Sequence, residues 1–253
     1  MRDGRRSLFT IVAAALVCLV VASPARAQVS APSGQFKDVA FEQKLGESID
    51  LDLVFNDEAG EPHRLGEYFH EGRPVILALV YFECPMLCNM VLNGLVVSLR
   101  PLSFDPGDDF EVLVVSFDPT EGPDLAKAKR ANYVEDYGRP GTEEGWHFLT
   151  GDSTAIAALT DQVGFRYVYD EEKDQYAHAS GITLLTDEGV LSRYLFGIDY
   201  APKDLKLGLT EASDGEVGGV VEQLLLLCYQ YDPQTGKYGA AIMFFLRLGG
   251  ALT

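Results

Sequence analysis

Along this chain, unbroken apolar runs alternate with stretches of helical spacing. The run Val75-Ile76-Leu77-Ala78-Leu79-Val80-Tyr81-Phe82 has no charged position, which predicts a strand over 74–82 buried on both faces. Behind it Met90, Val91, Leu95, Leu99 and Leu102 fall near helical spacing, and 110–117 is a second continuous apolar strand. Strand, helix, strand in that order predicts a parallel crossover. Asp118-Pro119-Thr120 closes the second strand, Gly122-Pro123 leads into a helix over 124–137, and Trp146-His147-Phe148-Leu149 predicts a third, short strand. Thr150-Gly151-Asp152-Ser153 reads as a capping loop for a helix over 154–163. Further strands are predicted at 165–169 and 182–185. The latter is joined as a hairpin to 190–196 through the turn Thr186-Asp187-Glu188-Gly189.

Both ends add to this frame. Residues 49–55 alternate apolar and polar like a half-buried strand, Asn56-Asp57-Glu58-Ala59-Gly60 is a turn cluster that closes a hairpin, and 65–69 predicts a short helix. Residues 217–229 are apolar enough for a helix packed on the sheet, and 231–238 reads as a turn after it. Residues 242–253 are apolar but shorter than the roughly 20 residues of a membrane span, and they contain Arg247. They suit a docked terminal helix, an interfacial helix, or the opening of a membrane anchor if the protein continues. The fold class is α/β, a mixed central sheet flanked by helices, with an N-terminal hairpin and a helical C-terminal extension and no internal repeat.

The N-terminus has Arg2, Arg5 and Arg6, an apolar stretch over 8–22, and Ser23-Pro24-Ala25-Arg26-Ala27, which offers a small-x-small cleavage site. This is the pattern of a secretory signal peptide over 1–27, and it predicts a periplasmic or otherwise exported protein. Cys18 is preceded by Val17 rather than a small residue, which argues against lipoprotein cleavage there. A polar, proline-bearing linker follows over 28–40, then a folded domain over 41–200 and an extension over 201–253. The formal net charge is −18, and the leader removes four arginines with one aspartate, so the mature chain is more acidic still. Such a chain does not bind nucleic acid. The charge reads first as a solubilising surface, and it suits a cationic partner or a metal ion.

Three cysteines remain after the leader, an odd number, so at least one thiol is free or liganded. Cys84-Pro85-Met86-Leu87-Cys88 lies directly between the first apolar strand and the helical pattern. Both thiols are thereby presented at a helix N-terminus, where the dipole and free amides favour thiolate. At i and i+4 they fall on one face and can converge on one ion, and thiolates favour Cu(I), with imidazole the usual complement. His178 is the candidate third ligand, in Asp174-Gln175-Tyr176-Ala177-His178-Ala179-Ser180, read as a polar loop before an apolar strand. A purely structural disulfide between Cys84 and Cys88 would close too short a loop to stabilise a large core much. His63, His70 and His147 have no partnering cysteine and read as structural or surface groups. Met86 and Met90 read as core fillers, with a thioether assisting Cu(I) as the alternative. Asp118 either orients a ligand or closes a turn. Cys228 reads as a buried inert thiol or an accessory thiol.

With these motifs in view, the chain resembles the Sco/SenC family of thioredoxin-like copper proteins over roughly residues 45 to 200. Phe82-Glu83-Cys84-Pro85-Met86-Leu87-Cys88 resembles that family's copper motif. Val114-Val115-Ser116-Phe117-Asp118-Pro119 resembles its strand-ending Asp-Pro segment, and His178 falls where its histidine ligand is found. Thr120-Glu121-Gly122-Pro123 departs from the family's acidic-Thr-Pro continuation. The resemblance implies a thioredoxin-like fold and copper, Cu(I) or Cu(II), held by Cys84, Cys88 and His178. It also implies copper delivery to the dinuclear centre of cytochrome c oxidase subunit II. The main alternative is a thiol-disulfide reductase with Cys84 and Cys88 as its redox pair, acting on that subunit or another exported protein. Such enzymes usually carry C-x2-C and a cis-proline before the facing strand, where this chain has Ser180-Gly181-Ile182. More distant readings are a thiol peroxidase and a non-catalytic assembly factor that docks a partner through its acidic surface and C-terminal helix.

Overall fold

The structure is a computed structural model, and it describes residues 39–70, 72–217, 231–232 and 237–238. In chain order the strands and helices are β1 (Ala40–Phe41), β2 (Val54–Asn56), β3 (Pro62–Arg64), β4 (Val75–Val80), α1 (Leu87–Leu99), β5 (Glu111–Ser116) and α2 (Pro123–Tyr137). They continue with β6 (Trp146–Leu149), α3 (Ser153–Val163), β7 (Phe165–Asp170), β8 (Gln175–His178), β9 (Gly181–Leu185), β10 (Leu191–Phe196), α4 (Pro202–Ser213), β11 (Tyr231–Asp232) and β12 (Lys237–Tyr238).

A strand with no polar position needs cover on both faces, and β4 takes the middle of a five-stranded sheet ordered β10-β9-β4-β5-β6. All six of its residues are buried. It runs parallel to β5, with Val75 opposite Glu111 and Val80 opposite Ser116, and β5 runs parallel to β6. β9 is antiparallel to β4, and the β9–β10 hairpin turns through Thr186 and Gly189, whose φ of 77° suits glycine. The predicted crossover, hairpin and mixed sheet are therefore present, and the sheet carries the α/β class. α1 buries Val91, Leu92, Leu95, Val96 and Leu99. At Gly94 a Cβ would stand 1.9 Å from the Ile198 carbonyl oxygen, so glycine is what lets α1 approach the segment after β10. Asp152 caps α3 by accepting from the Thr154 and Ala155 amides, as its position before the helix predicts.

Two expectations are corrected. Residues 49–55 are not one strand, because the Asp50 side chain accepts from the Asp52 amide and Leu53 N–H reaches the Asp50 carbonyl, which turns the chain before β2. β2 then pairs with β3 as the predicted hairpin, and a 3-10 turn over Leu65–Tyr68 follows. Second, the polar segment before β9 is not a loop. Its residues 175–178 form β8, which pairs with β7 so that His178 lies opposite Tyr167. The intervening turn is rich in charge and has Asp174 at φ 52°, and those polar positions conceal the alternation of Tyr176 and His178 in the sequence. β1, β7 and β8 make a second, antiparallel sheet.

The extension is helical over Pro202–Ser213, β11 and β12 pair antiparallel, and of the turn predicted at 231–238 residues 233–236 lie outside the described residues. The leader over 1–27 with Cys18, the helix predicted at 217–229 with Cys228, and residues 242–253 lie outside the described residues apart from Val217. Among the described residues no helix is long and apolar enough to cross a membrane.

Candidate metal centre

The last rung between the two central strands is the Phe117 amide donating to the Val80 carbonyl at 2.8 Å. Past it the chain leaves β4, turns with Cys84 N–H on the Tyr81 carbonyl at 3.3 Å, and enters α1 at Leu87. Met86, which holds the N-cap position, makes no side-chain cap. The Cys84 sulfur supplies that role, accepting the Cys88 amide at 3.3 Å in the first turn. The Cys88 sulfur accepts the Tyr81 amide at 3.4 Å. Both thiols are free and buried, Cys84 with 5% and Cys88 with 2% of its surface exposed.

β8 brings the third residue. His178 is 9% exposed, and its Nε2 lies 3.3 Å from the Cys88 sulfur. Its Nδ1 lies 2.7 Å from the Ala179 carbonyl oxygen. A carbonyl only accepts, so Nδ1 carries the proton and the Nε2 lone pair faces the sulfur. Phe117, Phe165 and Tyr81 wall the imidazole, with ring centroids 5.3, 5.9 and 6.0 Å away. The two sulfurs and one imidazole nitrogen all lie within 4.8 Å of one another. Thiolates and imidazole coordinate metals at about 2.0–2.3 Å, so one ion between them is within reach of all three. The donor set fits a soft metal ion.

The two thiols are electrostatically unequal. The Cys88 thiol hydrogen-bonds to Cys84 and holds it down to about 3, with the Cys88 and Met86 amides pulling the same way against burial. Burial pushes the Cys88 thiol up, and the proton it shares with Cys84 pushes it further. The pair thus holds one proton between two sulfurs, with the negative charge on Cys84. The reduced protein is therefore expected to be alkylated by iodoacetamide first at Cys84, at a rate that changes little between about pH 5 and pH 8. Cys88→Ala removes the largest stabiliser of that thiolate, so the midpoint moves up toward the ordinary thiol value of about 8.5 and the rate near pH 6 falls. Peptide mapping of alkylated protein across pH reads both. A wild-type rate that only rises above pH 8 contradicts the assignment.

Cys84, Cys88 and His178 are brought together as the sequence suggests, and other expectations sort differently. Met86 and Met90 do not fill the core. They are 66% and 39% exposed, because Met86 stands at the N-cap ahead of α1 and α1 turns Val91, Leu92 and Leu95 inward and leaves Met90 outside. Asp118 does turn chemistry, its Oδ1 accepting from the Thr120 amide at 2.8 Å and hydroxyl at 2.7 Å. His63 pairs with Glu67 and His147 with Glu111, His70 bridges Arg73, and none joins the metal-competent group.

The sequence did not reveal the aromatic walls or Glu121. Phe117, Tyr167 and Tyr176 come from three separate segments, and the pairing of β7 with β8 brings the two tyrosines together against Phe117, whose ring packs on His178. Glu121 stands in a turn cluster that looks solvated, yet it is buried. Burial pushes its carboxyl up while three hydrogen bonds pull it back. Beside the cysteine loop a cavity of about 700 Å³ opens to solvent, lined by Tyr81, Tyr176 and three carboxylates, Glu83, Asp118 and Asp174. Its acidic rim favours approach of a cation.

A model of the SCO1/SenC family matches residues 43–206. A protein from Aquifex aeolicus VF5 has a similar structure, with 25% identity and a TM-score of 0.59, over 68% of this chain and 95% of that one. Arabidopsis thaliana ScoI, solved with copper bound, is 16% identical with a TM-score of 0.51, over 64% of this chain and 96% of that one. BsSco, described with a disulfide switch and as a member of the Sco family of cytochrome c oxidase assembly proteins, is 19% identical. Its TM-score is 0.51, over 68% of this chain and 98% of that one. No curated protein matches the chain by sequence.

Proposed function

Because the chain belongs to the SCO1/SenC family, we propose that it is an exported copper chaperone that carries one copper ion on Cys84, Cys88 and His178. Its recipient in this reading is the dinuclear copper centre of cytochrome c oxidase subunit II. The observation that carries the reading is the convergence of two buried sulfurs and one imidazole nitrogen within 4.8 Å of one another. Copper on ScoI, and the assembly role described for BsSco, support it by kinship. The leader over 1–27, the linker over 28–40 and the domain over 41–200 belong to the same proposal, which puts copper handling on the exported side of a membrane.

The chemistry follows from the donors. Cys84 is already charged and needs no deprotonation to take Cu(I), while Cys88 must release its proton, so loading releases protons and weakens as pH falls. The His178 tautomer presents Nε2 without rearrangement. Transfer proceeds by exchange of these ligands for those of the recipient, and oxidation of the two thiols to a disulfide would discharge Cu(I). The depressed Cys84 thiol equally suits a thiol-disulfide reductase, which is the second reading. Anaerobic titration of the reduced protein with Cu(I) against a competing chelator tests the first. Tight one-to-one binding, lost in Cys84→Ser/Cys88→Ser, is expected. Binding no tighter in wild type than in that variant overturns the chaperone.

A further inference from the structure

Past the Phe117 amide on the Val80 carbonyl, no further strand-to-strand rung among the described residues holds the chain on its way to Cys84. The next free amides belong to Phe82 and Glu83, and both point at one side chain. Glu121 Oε2 accepts the Phe82 amide at 2.7 Å and Oε1 accepts the Glu83 amide at 2.6 Å. The Ser116 hydroxyl donates to the same Oε2 at 2.5 Å. The carboxylate is 8% exposed, and no cation lies within ion-pair distance of it among the described residues. A buried anion without a cation is tolerated only where dipoles fully satisfy it. Here the dipoles are those of the two residues that lead into the metal loop.

We propose that Glu121 is the positioning residue of this site: its carboxylate continues the β4–β5 ladder by two amides and so aims the Cys84 loop at Cys88 and His178. The loop is gripped from its other side by Asn89, whose Nδ2 donates to the Cys84 carbonyl at 3.0 Å and whose Oδ1 takes Lys129 Nζ at 3.0 Å. Between them the two side chains hold both the donors and the acceptor of the turn. Only an acceptor-only group fits. Glutamine would offer one oxygen to one amide and turn its own N–H groups against the other. Aspartate keeps the carboxylate but, one methylene shorter, reaches one amide and not both. The effect on copper rests on the chaperone reading, whereas the effect on the loop does not.

The test compares Glu121→Gln, Glu121→Asp and a control, Glu111→Gln. Glu111 is also a buried carboxylate, on β5, but it sits at the far end of the strand with Arg73 and His147. In the metal-free reduced protein, amide hydrogen exchange at Phe82 and Glu83 is expected to accelerate at least tenfold in Glu121→Gln, less in Glu121→Asp and not in Glu111→Gln. The Cys84–Cys88 reduction midpoint in glutathione buffers is expected to shift in the same order. Cu(I) affinity should fall roughly 10- to 100-fold in Glu121→Gln and stay within about twofold in Glu111→Gln. Unchanged exchange at those two amides, or equal loss of affinity in both Gln variants at matched stability, overturns the proposal. If wild type binds no copper, the chaperone reading fails alone, and exchange and midpoint still decide the role of Glu121. Should Glu121→Gln not fold, Glu121→Asp decides by the same readouts.

Discussion

His178→Ala is expected to weaken copper binding by at least the roughly 100-fold that loss of a mere supporting group costs a metal site, and by more for Cu(II) than for Cu(I). Two thiolates alone can hold the softer ion, but Cu(II) depends on the imidazole. The substitution also tells the two functional readings apart. Cys84 keeps the Cys88 hydrogen bond that is the largest cause of its low pKa, so thiol exchange should survive at most of its wild-type rate. Chelator competition for each oxidation state, run beside a thiol–disulfide exchange assay on the same preparation, reads the result. Copper affinity unchanged in both states would remove His178 from the site. Exchange lost together with copper would make the histidine part of a redox mechanism. The geometry favours a ligand role: the imidazole reaches the site from a separate strand, with its tautomer set by the Ala179 carbonyl 2.7 Å from Nδ1.

Phe117→Ala carries the second large effect, on stability. Phe117 is fully buried, and its ring lies 4.6 to 5.5 Å, centroid to centroid, from those of Tyr167, Phe165, His178, Tyr176 and Tyr81. Removing such a ring from a close-packed core costs about 3–5 kcal/mol, the lost transfer energy together with the cavity left behind. For a domain of this size each kcal/mol lowers Tm by roughly 2–4 °C. Urea unfolding with an unchanged m-value is the measurement. A loss below about 1 kcal/mol would mean the aromatic walls close over the gap and contribute little. Phe117 also packs against the His178 ring, so copper dissociation should speed up in Phe117→Ala and much less in Phe117→Leu, which refills most of the volume.

Much of this molecule was legible before any coordinate. β4 and the 112–115 stretch of β5 form continuous apolar runs because both faces of a strand inside the sheet are covered, and few other arrangements of a chain produce that pattern. The cysteine pair was legible because strand, two thiols and helix follow one another in the chain, so local rules alone place the sulfurs at a helix N-terminus. The aspartates at 50 and 52 misled because the same alternation serves a half-buried strand and an Asx turn, and only the hydrogen bond from Asp52 N–H to Asp50 decides between them.

By itself, then, the sequence determined the α/β class, the order of the central elements and the placement of Cys84 and Cys88 at a helix N-terminus, since each depends on neighbours a few residues away. Only the tertiary structure decided that His178 lies on a strand and 3.3 Å from a sulfur 90 residues earlier. It alone decided that Met86 and Met90 face solvent, and that Glu121 rather than Asp118 grips the loop. These are contacts across long separations, set by how the β1-β7-β8 sheet and the β5–α2 turn pack against the cysteine loop. No local pattern of polarity encodes which of two nearby carboxylates is turned inward.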